Sequence, residues 1–363
     1  MTVLFLISIA SLFIFLIFSV IIYHALNSIR ENQPKENPTT KISIIVAVKN
    51  EQDKISNLLE SFSKLDYPKE YFEIIIVDDN SIDDTNLIVK SYSKKIPNLR
   101  IIFAADKKIP AKKGTLEIGI KNAKFDYVVL TDADCVIPVD WLKYFSYKFE
   151  NGSQFVFGNI VYTNTKKTFA GYFQQFENFR SKVLYFAAAK LNFPYSAGGA
   201  NFGFRKDAFY KLGGYSTISK TFSGDDDLLI QMASKHRMKI DFLIEQNATV
   251  RTAASTNFNE IINRKARHTS ASYFYSGKSK LLLGFWHFAN LSSVSTIFFS
   301  PINSIFLFPF LVKMIIDALF VAQFAELFGY RFNVFQSIVF QILYEATIII
   351  NFFNGFRFIR RWK

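Results

Sequence analysis

The chain of 363 residues has a single cysteine, Cys135. One cysteine excludes a disulfide framework or a cysteine-ligated zinc site within one chain. Free cysteine is among the most buried residue types, so Cys135 reads as a small packed residue rather than a nucleophile. A long basic run is also missing, although 43 Lys and Arg stand against 30 Asp and Glu, a net charge of +13. Without such a run the positive balance speaks against nucleic acid and for an anionic membrane surface or a phosphorylated substrate. Charge itself is absent from Val3 to Tyr23, an almost wholly apolar stretch with about the 20 residues needed to span a bilayer. This stretch lacks the basic start and small-residue cleavage site of a signal peptide, so it reads as a retained anchor. Arg30 and Lys35 follow it and almost no positive charge precedes it. The positive-inside rule then places the next domain in the cytoplasm, anchored in a bacterial-type inner or plasma membrane.

What is present is unevenly spread. Phe is abundant, at 42 residues, and both ends are more apolar than the middle. The expected division is an anchor over 1–30, a polar linker over 31–40, a cytoplasmic domain over 41–280 and a membrane region over 281–363. Within the domain, apolar strand patterns at 42–48, 73–77, 100–104 and 127–131 alternate with helical patterns at 50–64, 84–94 and 112–123. Such alternation predicts an α/β fold, a mostly parallel sheet with helices on both faces. Ligands of such sheets sit at the carboxyl ends of strands. Glu51, Asp79 and the pair Asp132 and Asp134 all follow strand ends and fit one pocket.

The triplet Asp132-Ala133-Asp134 carries the most chemistry. A turn needs one Asp; a second adds repulsion unless a counter-charge is present. Two carboxylates one residue apart suit a hard cation, Mg²⁺ or Mn²⁺, which takes one or two carboxylates plus phosphate oxygens. Asp83 and Asp84 read instead as turn and capping residues.

Beyond 281, apolar segments lie near 288–310, 312–328 and 334–354. Lys313 and Asp317, four residues apart, suit a pair on one helix face inside the middle one. Two and three spans both stand, because three put the tail outside while Arg357, Arg360, Arg361 and Lys363 argue for inside. Two aromatic stretches, Tyr172 to Phe193 and Tyr273 to Tyr275, carry cations among their rings. Core-facing helices and interfacial helices on anionic lipid both fit them.

A series of segments, in one order along the chain, carries a resemblance. Val46-Ala47-Val48-Lys49-Asn50-Glu51, Val77-Asp78-Asp79-Asn80-Ser81, Lys112-Lys113-Gly114-Thr115-Leu116 and Asp132-Ala133-Asp134 resemble family 2 glycosyltransferases. These are inverting enzymes of the GT-A fold with nucleotide-sugar donors. Downstream, Gly198 to Arg205 resembles the acceptor-side glycine segment, and Ser223 to Leu229 sits at the catalytic-base motif. Arg264-Lys265-Ala266-Arg267-His268 sits where membrane synthases of the family carry Gln-x-x-Arg-Trp. The resemblance spans about 40–275.

It implies that Ala47, Val48, Glu51 and Asp79 hold the nucleoside. Lys112, Asp132, Ala133, Arg264 and Arg267 would complete the nucleotide-sugar site. Asp134, with Asp132, would hold the metal, and Gly199 and Asn201 would face the acceptor. Asp225 would be the general base, with Asp226 the other possibility in a row of three acids. Gly224 replaces the family's Glu, Arg264 its Gln and His268 its Trp; Arg267 alone matches literally. His268 reads as a packing or hydrogen-bonding residue, since the base role is already filled.

The function implied is a membrane glycosyltransferase that moves a sugar from a UDP- or GDP-sugar to a lipid or growing polysaccharide. Cellulose, chitin and hyaluronan synthases are similar in motif order, and ceramide glucosyltransferase-like enzymes in having one leading and a few trailing segments. The few spans and the altered Arg264/His268 segment tilt the reading towards a lipid or short oligosaccharide. Partner subunits of a glycan assembly system fit the polysaccharide case. A catalytically inactive scaffold is the alternative, opposed by intact Asp79, Asp132, Asp134 and Asp225. A nucleotidyltransferase would lack the base segment and trailing spans.

Overall fold

The structure, a computed structural model, describes residues 2–34 and 36–358. Lys35, Arg360, Arg361 and Lys363, which bear on orientation, lie outside the described residues. In chain order, α1 (Thr2–Asn27) leads into an alternation: β1 (Ile42–Val48), α2 (Ile55–Ser63), β2 (Phe72–Asp78), α3 (Thr85–Ser91), β3 (Leu99–Phe103), α4 (Ala111–Asn122) and β4 (Tyr127–Leu130). Then come β5 (Cys135–Val136), α5 (Trp141–Glu150), β6 (Phe155–Gly158), β7 (Ile160–Thr163), α6 (Phe169–Lys190), β8 (Phe202–Arg205), α7 (Lys206–Lys211) and α8 (Asp227–Lys235). The chain continues with β9 (Ile240–Leu243), β10 (Val250–Ala253), α9 (Phe258–Thr269), α10 (Gly277–Ser295), α11 (Leu307–Phe324) and α12 (Val334–Gly355).

The chain packs as two units. Arg30–Thr165 and Pro194–Ala254 build the sheet unit, while residues up to Ile29, Lys166–Phe193 and Ser255–Phe356 build a helical one. A division at residue 280 is therefore not how the chain packs: 166–193 and 255–280 join the apolar helices.

In the sheet unit seven strands run in the order β3-β2-β1-β4-β8-β6-β9. The first four are mutually parallel; β8 runs against both β4 and β6, and β9 is parallel to β6. The α/β expectation with a mostly parallel sheet holds. The β-branched run of β1 lies at the centre, buried at nearly every position, as a strand covered on both faces must be. Its helix α2 buries Ile55, Leu58, Leu59 and Phe62 at helical spacing. The helix expected from Asn50 starts only at Ile55. Asn50 takes a left-handed φ of +54°, and its side chain accepts from Ile82 N at 2.9 Å, so 49–54 is a loop stitched to the loop after β2. A second sheet, β5-β10-β7, draws on strands interleaved in sequence with the later strands of the first.

In the helical unit four helices are long and apolar enough to cross a membrane by length and composition: Val3–Asn27, Gly277–Phe299, Ser304–Phe324 and Val334–Phe358. Three of them follow residue 276. The apolar segment expected over 288–310 is broken at 300–303, where Pro301 lacks an N–H and Asn303 caps the next turn through Ile305 N at 3.0 Å. On α6, Phe173, Phe176 and Phe179 pack on Phe340, Phe332 and Phe328 of the same unit, so the core-facing reading of this stretch is the one the structure adopts. Lys313 and Asp317 do pair, at 2.6 Å, in a buried set: Lys313 also meets Glu345 at 3.0 Å, and Arg180 meets Asp317 at 2.8 Å.

Candidate active site

The parallel register brings three strand ends to one rim. Val48 pairs with Asp78, and Asp79 N donates to Val48 O at 2.8 Å. On the other side of β1, Thr131 N reaches Ile45 O at 3.4 Å, just before Asp132. In this order β1 has β2 on one side and β4 on the other, the switch point at which open α/β sheets form a crevice. Ala47 is half-exposed there while its strand neighbours are buried.

Side chains around the rim divide into those that hold loops and those that face the crevice. Asp78 accepts from Ser81 N and Oγ and from Asn86 Nδ2, so it closes the loop. Asp79 instead pairs with Lys107 and lies 4.0 Å from Lys49 Nζ. Asp83 accepts from Gln52 N, Thr85 N and Thr85 Oγ1, the expected turn role. Asp84 stands at the start of α3 without a side-chain cap bond. Glu51 N donates to Thr85 Oγ1 at 2.8 Å, and the Glu51 carboxylate meets Lys54 at 3.5 Å.

Helix α4 delivers the lysines. It approaches the sheet closely at Gly119, where a Cβ would come within 2.4 Å of Ile45 Cγ2. Gly114 has a matching reason: a Cβ there would lie 1.8 Å from Ile109 O, so only glycine lets the preceding loop fold onto the first turn. Lys112 Nζ then reaches Asp132 Oδ1 at 2.6 Å and Asp225 Oδ2 at 3.5 Å. Burial opposes the Lys112 charge, but Asp132 and Asp225 outweigh it and hold its pKa above the usual lysine range. Lys113, beside it, is buried and donates to three backbone carbonyls, Ile218, Thr221 and Ser223, at 2.7, 2.8 and 2.8 Å.

The acidic row separates into three roles. Gly224, with φ +77°, occupies a left-handed conformation that a Glu would hold only with strain, which accounts for the departure at this position. Burial pushes the Asp225 carboxyl up, yet the charges of Lys112 and Lys113 prevail and hold it below the usual carboxylate range. Asp226 caps α8, accepting from Asp227 N at 2.8 Å; burial and the charges of Asp227 and Asp225 push its pKa well up. Asp227 holds the loop before β8, accepting from Ser196 Oγ at 2.7 Å and Ala197 N at 3.0 Å.

Because β8 is antiparallel to β4, that loop arrives at the same rim. A Cβ on Gly199 would lie 3.0 Å from Asp226 Oδ2 and 3.6 Å from Asp225 Oδ2. Asn201 corrects an expectation. It is fully buried, donating to Asn159 O and Ala248 O at 2.9 Å and accepting from Trp141 Nε1 at 2.9 Å, so its amide secures the loop from behind. An acceptor contact through this side chain is replaced by that network. Arg264 and Arg267 lie on α9, in the helical unit, and His268 there is exposed. Cys135 is buried, and burial raises its thiol pKa well up, as expected of a packing residue. Lys107, missed in the sequence, sits 28 residues from Asp79, where local spacing gives no signal.

Asp132 and Asp134 are both half-exposed around the buried Ala133. Among the described residues no group of three or more His, Cys, Asp or Glu forms a metal site. Two carboxylates, one already balanced by the Lys112 ammonium, fit a hard divalent cation whose remaining ligands are phosphate and water oxygens.

An α/β domain of the GT-A type is what this sheet order defines. A solved mannosyltransferase from Pyrobaculum calidifontis, PcManGT in complex with GDP-Man and Mn²⁺, has the same fold: TM-score 0.61 at 18% identity, over 96% of this chain and 99% of that one. Residues 43–213 match the family described as Glycosyl transferase family 2, and the chain carries a domain of that family. It is 32% identical over 106 residues to beta-monoglucosyldiacylglycerol synthase of Synechocystis sp., across 29% of this chain. It is 33% identical over 121 residues to poly(ribitol-phosphate) beta-glucosyltransferase of Bacillus spizizenii, across 33% of this chain. The matches span 22% and 19% of those relatives' lengths.

Proposed function

We propose that the protein is a membrane-bound inverting glycosyltransferase that moves a sugar from a UDP- or GDP-sugar to a lipid or glycan acceptor. One observation carries the reading: a single ammonium, Lys112, joins Asp132 of the Asp-Ala-Asp triplet to Asp225 of the base segment. Donor-side and acceptor-side groups therefore share one crevice. The nucleoside would lie along Ala47, Val48, Glu51 and Asp79, with Lys112 and Ala133 near the diphosphate. Arg264 and Arg267 are assigned to the diphosphate as it departs. Asp132 and Asp134 would hold Mg²⁺ or Mn²⁺, which when bound stabilises negative charge on a departing diphosphate.

Asp225 fits the base. Its low pKa keeps it ionised through neutral pH, and whereas Asp226 caps α8 and Asp227 holds the loop before β8, it lies beside the Lys112 ammonium. It takes the proton from the acceptor hydroxyl while that oxygen attacks the anomeric carbon from the face opposite the nucleotide. The single displacement inverts the anomeric centre. Four apolar helices in the same chain favour a lipid acceptor, and the named relatives include a glycolipid synthase. The sheet unit is assigned to the cytoplasm, where nucleotide-sugars are made; partner subunits belong to the polymer-acceptor case.

The test incubates membranes holding the protein with radiolabelled UDP- and GDP-sugars, with Mg²⁺ or Mn²⁺, and separates lipid from polymer products. Label in the lipid fraction is expected. If no nucleotide-sugar is consumed, the glycosyltransferase reading fails; label in polymer alone moves the acceptor.

A further inference from the structure

Lys113 is the member of the Lys112-Lys113-Gly114 segment to which the proposed reaction gives no task. It is among the most buried lysines of the chain, 1% exposed. An ammonium has three N–H donors and no acceptor. All three are matched here, by Ile218 O at 2.7 Å and by Thr221 O and Ser223 O at 2.8 Å. The carbonyls run from the last residue of the 3-10 turn Gly214–Ile218 into the segment without helix or strand that leads to α8. Such a segment has no ladder to absorb its carbonyls, and buried carbonyls need partners. The next residue after Ser223 is Gly224, whose left-handed turn sets the direction of Asp225.

We propose that Lys113 is a positioning residue: its ammonium pins the backbone of 218–223 so that Asp225 is presented beside Lys112. The inference rests on the glycosyltransferase reading for its kinetic consequence, but its structural half does not. Two neighbouring lysines at the start of α4 thereby divide the work. Lys112 faces the crevice and meets carboxylates; Lys113 faces inward and meets only backbone in these bonds. A methionine fills similar space without the three donors. A neutral amine keeps two N–H groups and loses the charge that strengthens all three bonds. The charged and titratable groups around the clamp are Lys112 and Glu117 on α4, Tyr215 on the 3-10 turn, and Asp225 and Asp226 beyond it. Burial, partly offset by Asp225 and Asp226, pushes the Lys113 pKa down to about 8.

The test compares the full chain with Lys113→Met in three readouts: hydrogen exchange, binding of UDP and GDP, and turnover of nucleotide-sugar. Expected are faster exchange confined to residues 216–226, a nucleotide Kd within threefold of wild type, and a kcat lower by about 100-fold, the scale of a misplaced catalytic group. Wild-type exchange in 216–226 together with kcat within threefold overturns the proposal. Should Lys113→Met lose nucleotide binding and fail to fold, the unaltered chain decides. Protection of 216–226 in the wild type, corrected for intrinsic exchange, should exceed that of the exposed loops of the sheet unit at neutral pH; protection no higher than theirs overturns the clamp. A wild-type chain that consumes no nucleotide-sugar sinks the function reading alone, because the exchange measurements stand without turnover.

Discussion

The two units bury charge in opposite ways. In the helical unit, Arg180 and Lys313 face Asp317 and Glu345, cations and carboxylates in balance, and the set joins α6, α11 and α12. At the sheet rim Lys112 and Lys113 stand among Asp132, Asp134, Asp225, Asp226 and Asp227, and carboxylates are in surplus. Burying charge is costly unless it is matched, so a balanced set holds helices together, whereas a surplus at a strand end leaves room for an incoming cation and its phosphates. The first arrangement balances its charges within the chain; the second has carboxylates to spare.

The contrast can be broken experimentally. Asp225→Asn should lower turnover by about 10²–10⁴-fold, the usual worth of a general base, while nucleoside diphosphate binding by calorimetry stays near wild type. Turnover within tenfold of wild type would move the base to Asp226. Asp317→Asn should act on stability instead, at about 3–5 kcal/mol, because it removes the carboxylate paired with Arg180 in the interior and leaves Lys313 with Glu345 alone. An unchanged melting temperature in detergent would erase the difference between the two sets. Lys112→Met should weaken nucleotide binding by about 10–100-fold, the range of a charge-assisted hydrogen bond. It should also shift the pH profile. Lys112 helps hold the Asp225 pKa down, so the wild type stays active through neutral pH and loses the base only below the usual carboxylate range. Without Lys112 the acid limb of kcat moves to higher pH; an unmoved limb would detach Lys112 from the base. Smallest, Gly224→Ala should cost about 1–2 kcal/mol for a left-handed alanine, read by denaturant titration.

The alternation of strands and helices was legible because β1, β2 and β4 are buried on both faces and read as continuous apolar runs. The carboxylates after their ends were legible for the same reason: parallel register carries every strand end to one rim. What escaped depended on direction and distance. Asn201 stands in a glycine-rich acceptor-like segment, but its side chain points into the core, which spacing does not encode. Lys107 and Lys113 meet partners 28 and up to 110 residues away. The membership of α6 in the helical unit rests on ring packing with residues beyond 320, and on an ion pair spanning 137 residues. The separate tasks of Asp225, Asp226 and Asp227 required the turn at Gly224 and the start of α8, which identical side chains in a row cannot announce.

The reversed direction of β8 has a consequence for how such a protein can be altered. Its neighbours in the parallel set offer the rim the chain that leaves them; β8 offers the chain that arrives. The stretch from Pro194 to Asn201 is therefore a separable wall, exchangeable as one graft without touching a loop that follows β1, β2 or β4. Two anchors bound the exchange. Position 199 must remain glycine, because a side chain would press on Asp226, and position 201 must keep an amide that both donates and accepts. Outside these two positions, variation along 194–198 can retune what approaches Asp225 while the loops after β1, β2 and β4 stay constant.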